Sequence, residues 1–231
     1  RYTRLYCDGK LVFASDVNNI PVSCNRMVNS WGDYDHFLHT KIWFMKSFIE
    51  PGNTLPILRA GADRGIINFN QQRDYHLRYV VSDAFGNQTV KEFTVHGEPQ
   101  AIPSVAKPEG GVPLYCKKDN RINADGVRLN IQKGLLAKDG WLLMRTVPMG
   151  NALSMGYSFS KAPYPLFNYA EINIKAKDGI RNPEKLYIAA RNSAAGGGPS
   201  AYWGGIYTNG WVKGRFRELS DIYFLASDET A

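Results

Sequence analysis

Tyr75-His-Leu-Arg-Tyr-Val-Val-Ser-Asp-Ala-Phe-Gly-Asn-Gln-Thr-Val-Lys-Glu-Phe-Thr-Val95 reads as two alternating strands joined by a tight turn. Leu77, Tyr79 and Val81 fall on one side before the turn, and Phe93 and Val95 on the same side after it. Between them Asp83-Ala-Phe-Gly-Asn87 supplies turn chemistry. Gly86 is free to take positive φ, and Asp83 and Asn87 can bond nearby backbone. A hairpin of this kind commonly closes an immunoglobulin-like sandwich, so an all-β fold is the first expectation.

Working back toward the N-terminus, Tyr2–Tyr6 and Leu11–Phe13 flank Asp8-Gly9 and predict a second hairpin. After Pro21 the period changes. Trp31, Tyr34, Leu38, Ile42 and Met45 recur at steps of three and four, with Ser30 placed to cap, so residues 31–41 are expected to be a short inserted helix. Trp43–Ile49 and Ile66–Phe69 read as further strands, and Trp31 and Trp43 as core residues. Between His96 and Leu114 come Pro99, Pro103, Pro108, Gly110, Gly111 and Pro113 without periodicity, a linker composition.

Beyond the linker, Val127–Ile131, Met155–Phe159, Ala170–Ala176, Leu186–Ala190 and Ile222–Leu225 read as short strands. Asp125-Gly126, Asp139-Gly140, Asp178-Gly179 and Asn209-Gly210 punctuate them. The expectation is two tandem antiparallel β-sandwich, immunoglobulin-like domains. The first spans residues 1–97 with its helical insertion, 98–113 form a Pro/Gly linker, and 114–231 form the second.

The totals fit a folded all-β protein. Of 231 residues, 44% are hydrophobic, 21% charged and 13% aromatic, which suits strands packing on pleated surfaces. No apolar run approaches the ~20 residues of a membrane helix. The net charge of +7 divides into 11 Lys and Arg against 9 acids before residue 98, and 17 against 12 after it. Nucleic-acid binding wants such charge gathered on one face. Here the basic residues are spread thinly along the chain, so no nucleic-acid partner is expected. A weak attraction to anionic polymers such as cell-wall glycans stays open. The three cysteines, Cys7, Cys24 and Cys116, lack the close spacing of a zinc or redox motif; Cys7–Cys24 pairing and free thiols both remain possible.

Candidate chemistry is sparse. His36 and His39 lie three apart behind Asp33 and Asp35, so one helical turn would gather two imidazoles and two carboxylates as metal ligands. A polar outer helix face is the plainer alternative and is preferred. No Gly-x-Ser-x-Gly elbow occurs, and the Gly-rich loop Ser193–Ser200 lacks the Gly-Lys-Ser/Thr ending of a phosphate loop. No pair of acids stands out for glycoside hydrolysis. Trp203, Tyr207 and Trp211, interleaved with glycines, are the best binding candidates. Their rings would form a flat platform for sugars, or else cap the end of the sandwich core.

Leu5-Tyr-x-Asp-Gly-Lys-Leu-Val-Phe13, Trp43–Asn53, the Tyr75–Val95 hairpin and the closing Gly214–Ala231 together resemble a known region. It follows the catalytic domain in exported, lysostaphin-like (LytM-type) zinc metallopeptidases of the bacterial envelope. The resemblance implies a non-catalytic accessory region in the periplasm or cell envelope. It would space or dock a peptidase domain on peptidoglycan or on an envelope partner, and a carbohydrate-binding module is the alternative. The family's His-x-x-x-Asp and His-x-His zinc ligands have no counterpart here. No catalytic residue is therefore assigned, no cofactor is expected in this chain, and zinc is expected only in a peptidase domain preceding Arg1.

Overall fold

The computed structural model describes residues 2–104, 106–150, 153–159, 166–192, 201–219 and 221–228. The chain divides into two compact units, Arg1–Ala106 and Lys107–Ala231. The division falls inside the Pro/Gly stretch. The all-β expectation holds, and every pairing between strands is antiparallel.

The first unit contains β1 (Tyr2–Cys7), β2 (Lys10–Asp16), β3 (Leu58–Ala60), β4 (Asp74–Ser82) and β5 (Gln88–His96). They form one sheet in the order β3-β2-β1-β4-β5. The opening hairpin is β4–β5, with Leu77 opposite Phe93 and Tyr75 opposite Val95. Asp83 closes it by accepting from the amides of Phe85 (2.8 Å) and Asn87 (3.0 Å). Burial follows the alternation at Tyr75 and Leu77 and then changes phase: Val80 and Ser82 are buried, while Val81 and Phe93 are half exposed.

That layer is a helical and looped segment, residues 22–57, standing where an immunoglobulin-like sandwich would place a second sheet. A 3₁₀ turn (Val22–Met27) leads into α1 (Val28–Trp31), and α2 (Tyr34–Thr40) follows. One helix over 31–41 was expected, but the chain breaks at Gly32, against which the Trp43 ring is pressed so closely that a Cβ would collide with it. Ser30 is not the cap. Its hydroxyl donates to Met27 O, and Asp33 caps α2 by accepting from His36 N–H at 3.1 Å.

Trp43–Ile49 forms no strand beyond a single bridge, Gly32 to Met45, and Ile66–Phe69 is loop. Polar groups pin the layer in place. Lys46 Nζ donates to Glu50 Oε1 (2.9 Å) and Ser30 O (3.1 Å), while Asn53 Nδ2 donates to Ser30 Oγ (2.7 Å). Leu5, Phe13, Trp31, Leu55, Leu58 and Leu77 make the core between sheet and layer. The cysteines are free thiols; Cys7 and Cys24 rest against this core, and Cys116 is buried in the second unit.

The second unit is a two-sheet sandwich. Its strands are β6 (Val112–Leu114), β7 (Asn120–Ala124), β8 (Val127–Ile131), β9 (Gly140–Leu142), β10 (Met144–Val147), β11 (Gly156–Phe159) and β12 (Ala170–Lys175). After a 3₁₀ turn (Pro183–Lys185) come β13 (Leu186–Asn192), β14 (Ala201–Tyr202), β15 (Ile206–Thr208), β16 (Trp211–Phe216) and β17 (Asp221–Ser227). One sheet runs β10-β11-β17-β13-β14, the other β15-β16-β12-β8-β7, with a small β6-β9 ribbon beside them. Alternation puts Ile172, Ile174, Val212 and Phe216 of one sheet and Ile188, Tyr223 and Leu225 of the other into a fully enclosed core. Of the predicted turns, Gly126, Gly179 and Gly210 take positive φ. Gly140 instead opens β9, and the Asp139 carboxylate beside it accepts from Cys116 N–H at 2.8 Å. Ser193–Ser200 lies outside the described residues.

Candidate functional site

The two histidines sit on α2, and each is engaged locally. The His36 ring stacks on Phe44 with centroids 4.4 Å apart. His39 turns back along its own helix, with Nδ1 2.7 Å from Asp35 O and 3.8 Å from an Asp35 carboxylate oxygen. Asp33 is occupied with the helix cap. Among the described residues no three of His, Cys, Asp and Glu gather as a metal-binding group.

Trp203, Tyr207 and Trp211 do not share a face. Trp203 packs against the sandwich core, with its ring 6.0 Å from Tyr169 and 6.4 Å from Tyr223. Tyr207 lies opposite buried Val212 and also packs inward. Trp211 is on the other side of β16, facing out, and the Arg128 guanidinium lies on its ring at 4.0 Å. Two rings therefore cap the core, and the third carries a cation.

The aromatic surface lies instead in the first unit. α2 ends at Lys41, whose left-handed backbone (φ 62°) reverses the chain and whose N–H donates to Phe37 O. Ile42–Met45 then runs back beside residues 31–33, held by Asp33 N to Phe44 O (2.7 Å) and Lys46 N to Trp31 O (2.9 Å). This backbone pinning keeps four apolar side chains at the surface. Ile42 is 57% exposed, Trp43 41%, Phe44 56% and Met45 41%. Trp43, expected in the core, stacks on Phe37 at 4.3 Å with planes 16° apart, and Tyr34 flanks it at 6.2 Å. The rings thus form a preordered ridge.

Beside the ridge is an open apolar hollow of about 430 Å³ lined by Phe13, Val17, Trp31, Met45, Tyr79 and Val81, among others. Its polar atoms are spent on one another. Thr3 and Ser15 share a 2.6 Å hydroxyl bond, Trp31 Nε1 donates to Lys46 O at 3.0 Å, and Ser47 Oγ donates to Tyr79 OH at 3.3 Å. What the hollow offers a visitor is hydrocarbon and ring surface. Exposed aromatic rings beside such a hollow form an apolar surface, with Lys46 its one ammonium-bearing lining residue and that ammonium bonded to Glu50 and Ser30 O. The signal in the sequence was the run Ile42-Trp-Phe-Met45 between two lysines, four apolar residues in a row where a strand with one solvent face would alternate.

The molecule is thus an all-β protein with a preordered apolar surface on one unit. The model of the Zu5-like domain family matches residues 112–228, just over half of the chain, and the chain belongs to that family. No curated protein and no solved structure matches it. No helix among the described residues is long and apolar enough to cross a membrane.

Proposed function

We propose that this chain is a non-catalytic accessory region that docks another protein domain through the ridge Ile42–Met45 and the adjoining hollow. The observation that carries this reading is the exposure of four consecutive apolar side chains on a rigidly bonded segment. Exposed apolar surface of this kind marks protein contacts, where aromatic anchors supply most of the binding energy. The resemblance to the accessory region of lysostaphin-like peptidases names the partner domain, a zinc peptidase of the bacterial envelope. In that setting the metal belongs to the partner, and this chain positions it on the cell wall.

Titrating the purified chain with a lysostaphin-like peptidase domain in a calorimeter tests the proposal. Saturable association is expected. Trp43→Ser with Phe44→Ser should weaken it by about 2–4 kcal/mol, the lower thermal transition being followed alongside to show that the first unit is still folded at the temperature of the titration. Absence of association, or association indifferent to the two substitutions, overturns it.

A further inference from the structure

The outer face of the sheet β15-β16-β12-β8-β7 in the second unit carries an ordered array of cations and amides. Inward positions on β7, β8, β12 and β16 are buried or half-buried and, Asn120 apart, apolar, so the outward set is fixed by register. One row across four strands reads Arg215, Glu171, Asn130, Arg121, and the next reads Lys213, Asn173, Arg128, Asn123. Lys175 stands opposite Trp211 at the end of the same face. Five cations meet one carboxylate on the strands, Glu171, which Lys213 Nζ holds at 2.6 Å. Asp125 adds a second carboxylate in the adjoining turn. Arg121, Lys175 and Arg215 are exposed and make no ion pair with any described residue.

The face is shaped as well as charged. Toward one end lies a hollow of about 660 Å³ lined by Asn123, Asp125, Arg128, Lys175 and Trp211, among others. Toward the other lies one of about 500 Å³ lined by Asn168, Tyr169, Glu171, Lys213 and Arg215, among others. Strands lie about 4.8 Å apart, so a row spans roughly 14 Å, a track for an extended chain. Asn130 in the first row and Asn173 and Asn123 in the second can donate to and accept from hydroxyl groups, and the guanidinium groups, at both ends of the first row and inside the second, match planar carboxylates bidentately. Single-stranded nucleic acid is the poorer fit. It is held by several free rings on which bases stack, and the rings that line these hollows, Trp211 and Tyr169, already carry the Arg128 and Arg217 guanidinium groups at 4.0 and 5.0 Å.

We propose that this face binds a carboxylate-bearing glycan chain. The charge excess supplies attraction, the amides supply hydroxyl recognition, and Arg128 on Trp211 supplies an optical reporter. The proposal is independent of the docking role of the first unit.

Polygalacturonate is a suitable probe, with neutral dextran and an oligothymidylate as comparisons, titrated into the full chain while tryptophan fluorescence is followed. Polygalacturonate should bind saturably, perturb the emission, and weaken steeply as salt is raised. Arg128→Gln with Arg215→Gln should lower its affinity by at least about fivefold, and Trp211→Phe should remove most of the optical change. Lys10→Gln with Lys91→Gln, the same loss of charge on the first unit, should leave binding in place. The proposal is overturned if polygalacturonate does not bind at low salt. It is equally overturned if both double variants weaken binding alike, or if the oligothymidylate binds as tightly as the glycan.

Discussion

Gly86 and Gly126 share a left-handed backbone, at φ 90° and 73°, but for different reasons. Gly86 turns the β4–β5 hairpin in open space, so a methyl group there meets nothing. Gly126 turns β7 into β8 directly beneath the Tyr157 hydroxyl, where a Cβ would overlap it. Gly86→Ala should therefore cost only the backbone strain, about 1 kcal/mol, and Gly126→Ala about 3 kcal/mol, read from urea unfolding. A buried tyrosine of the same sandwich gives a pH signature. Tyr223 is fully enclosed and its hydroxyl donates to Glu218 O at 2.6 Å, so burial drives its ionisation far above the usual phenol range. Above about pH 10 the unfolded chain has lost this proton while the folded one keeps it. The native state then binds more protons, and stability falls as pH rises. Tyr223→Phe should cost about 1–2 kcal/mol at pH 7 and flatten much of the alkaline decline. Some decline should remain, because burial also raises Tyr157. The turn glycines were plain in the sequence as Asp-Gly and Asn-Gly pairs. A buried strand over Ile222–Leu225 was legible too, from its apolar run; the bond from Tyr223 to Glu218 O was not, since no local pattern fixes where a side chain finds its acceptor.

At the scale of elements, strands were read well where alternation was strict and poorly where the chain was only apolar. Val127–Ile131 alternates and is a strand to the residue. Trp43–Ile49 is as hydrophobic but does not alternate, and its polar members are already committed, Lys46 to Glu50 and Ser47 to Tyr79. With those bonds made, the segment lies along α1 and α2 instead of joining the sheet, and Trp43 is turned outward onto Phe37. The helix period from Trp31 to Met45 was real in part. It could not reveal that ring packing at Gly32 would divide it, because that contact joins residues eleven apart. α2 is the support of the ridge, since Tyr34 and Phe37 back Trp43. Asp33→Ala removes its cap and should cost about 1 kcal/mol, with faster amide exchange through residues 34–40 and a red-shifted Trp43 emission. Unchanged exchange in that helix would mean the ring stack alone holds it.

At the scale of the whole chain, each unit has its own core, and neither core cluster draws residues from the other unit. The sequence announced two bodies by the Pro/Gly stretch and by the regular spacing of turns, and it announced the sandwich of the second by alternation. It could not announce that the first would use one sheet with a helical and looped cover, because residues 22–57 carry both periods in short pieces. The difference should be visible in unfolding. The first core is small and is closed partly by polar pins; the second is larger and sealed between two sheets. Heating is expected to give two calorimetric transitions, the second unit melting last. Ile188 is fully buried at the sheet-to-sheet contact, where its Cδ1 lies against the space at Gly214. Ile188→Ala should remove about 2–5 kcal/mol from the upper transition by opening a cavity that rigid strands cannot close. The lower transition should stay where it was, because separated sites with no shared partners act additively. A single transition that moves down as a whole would show instead that the two units unfold as one cooperative body.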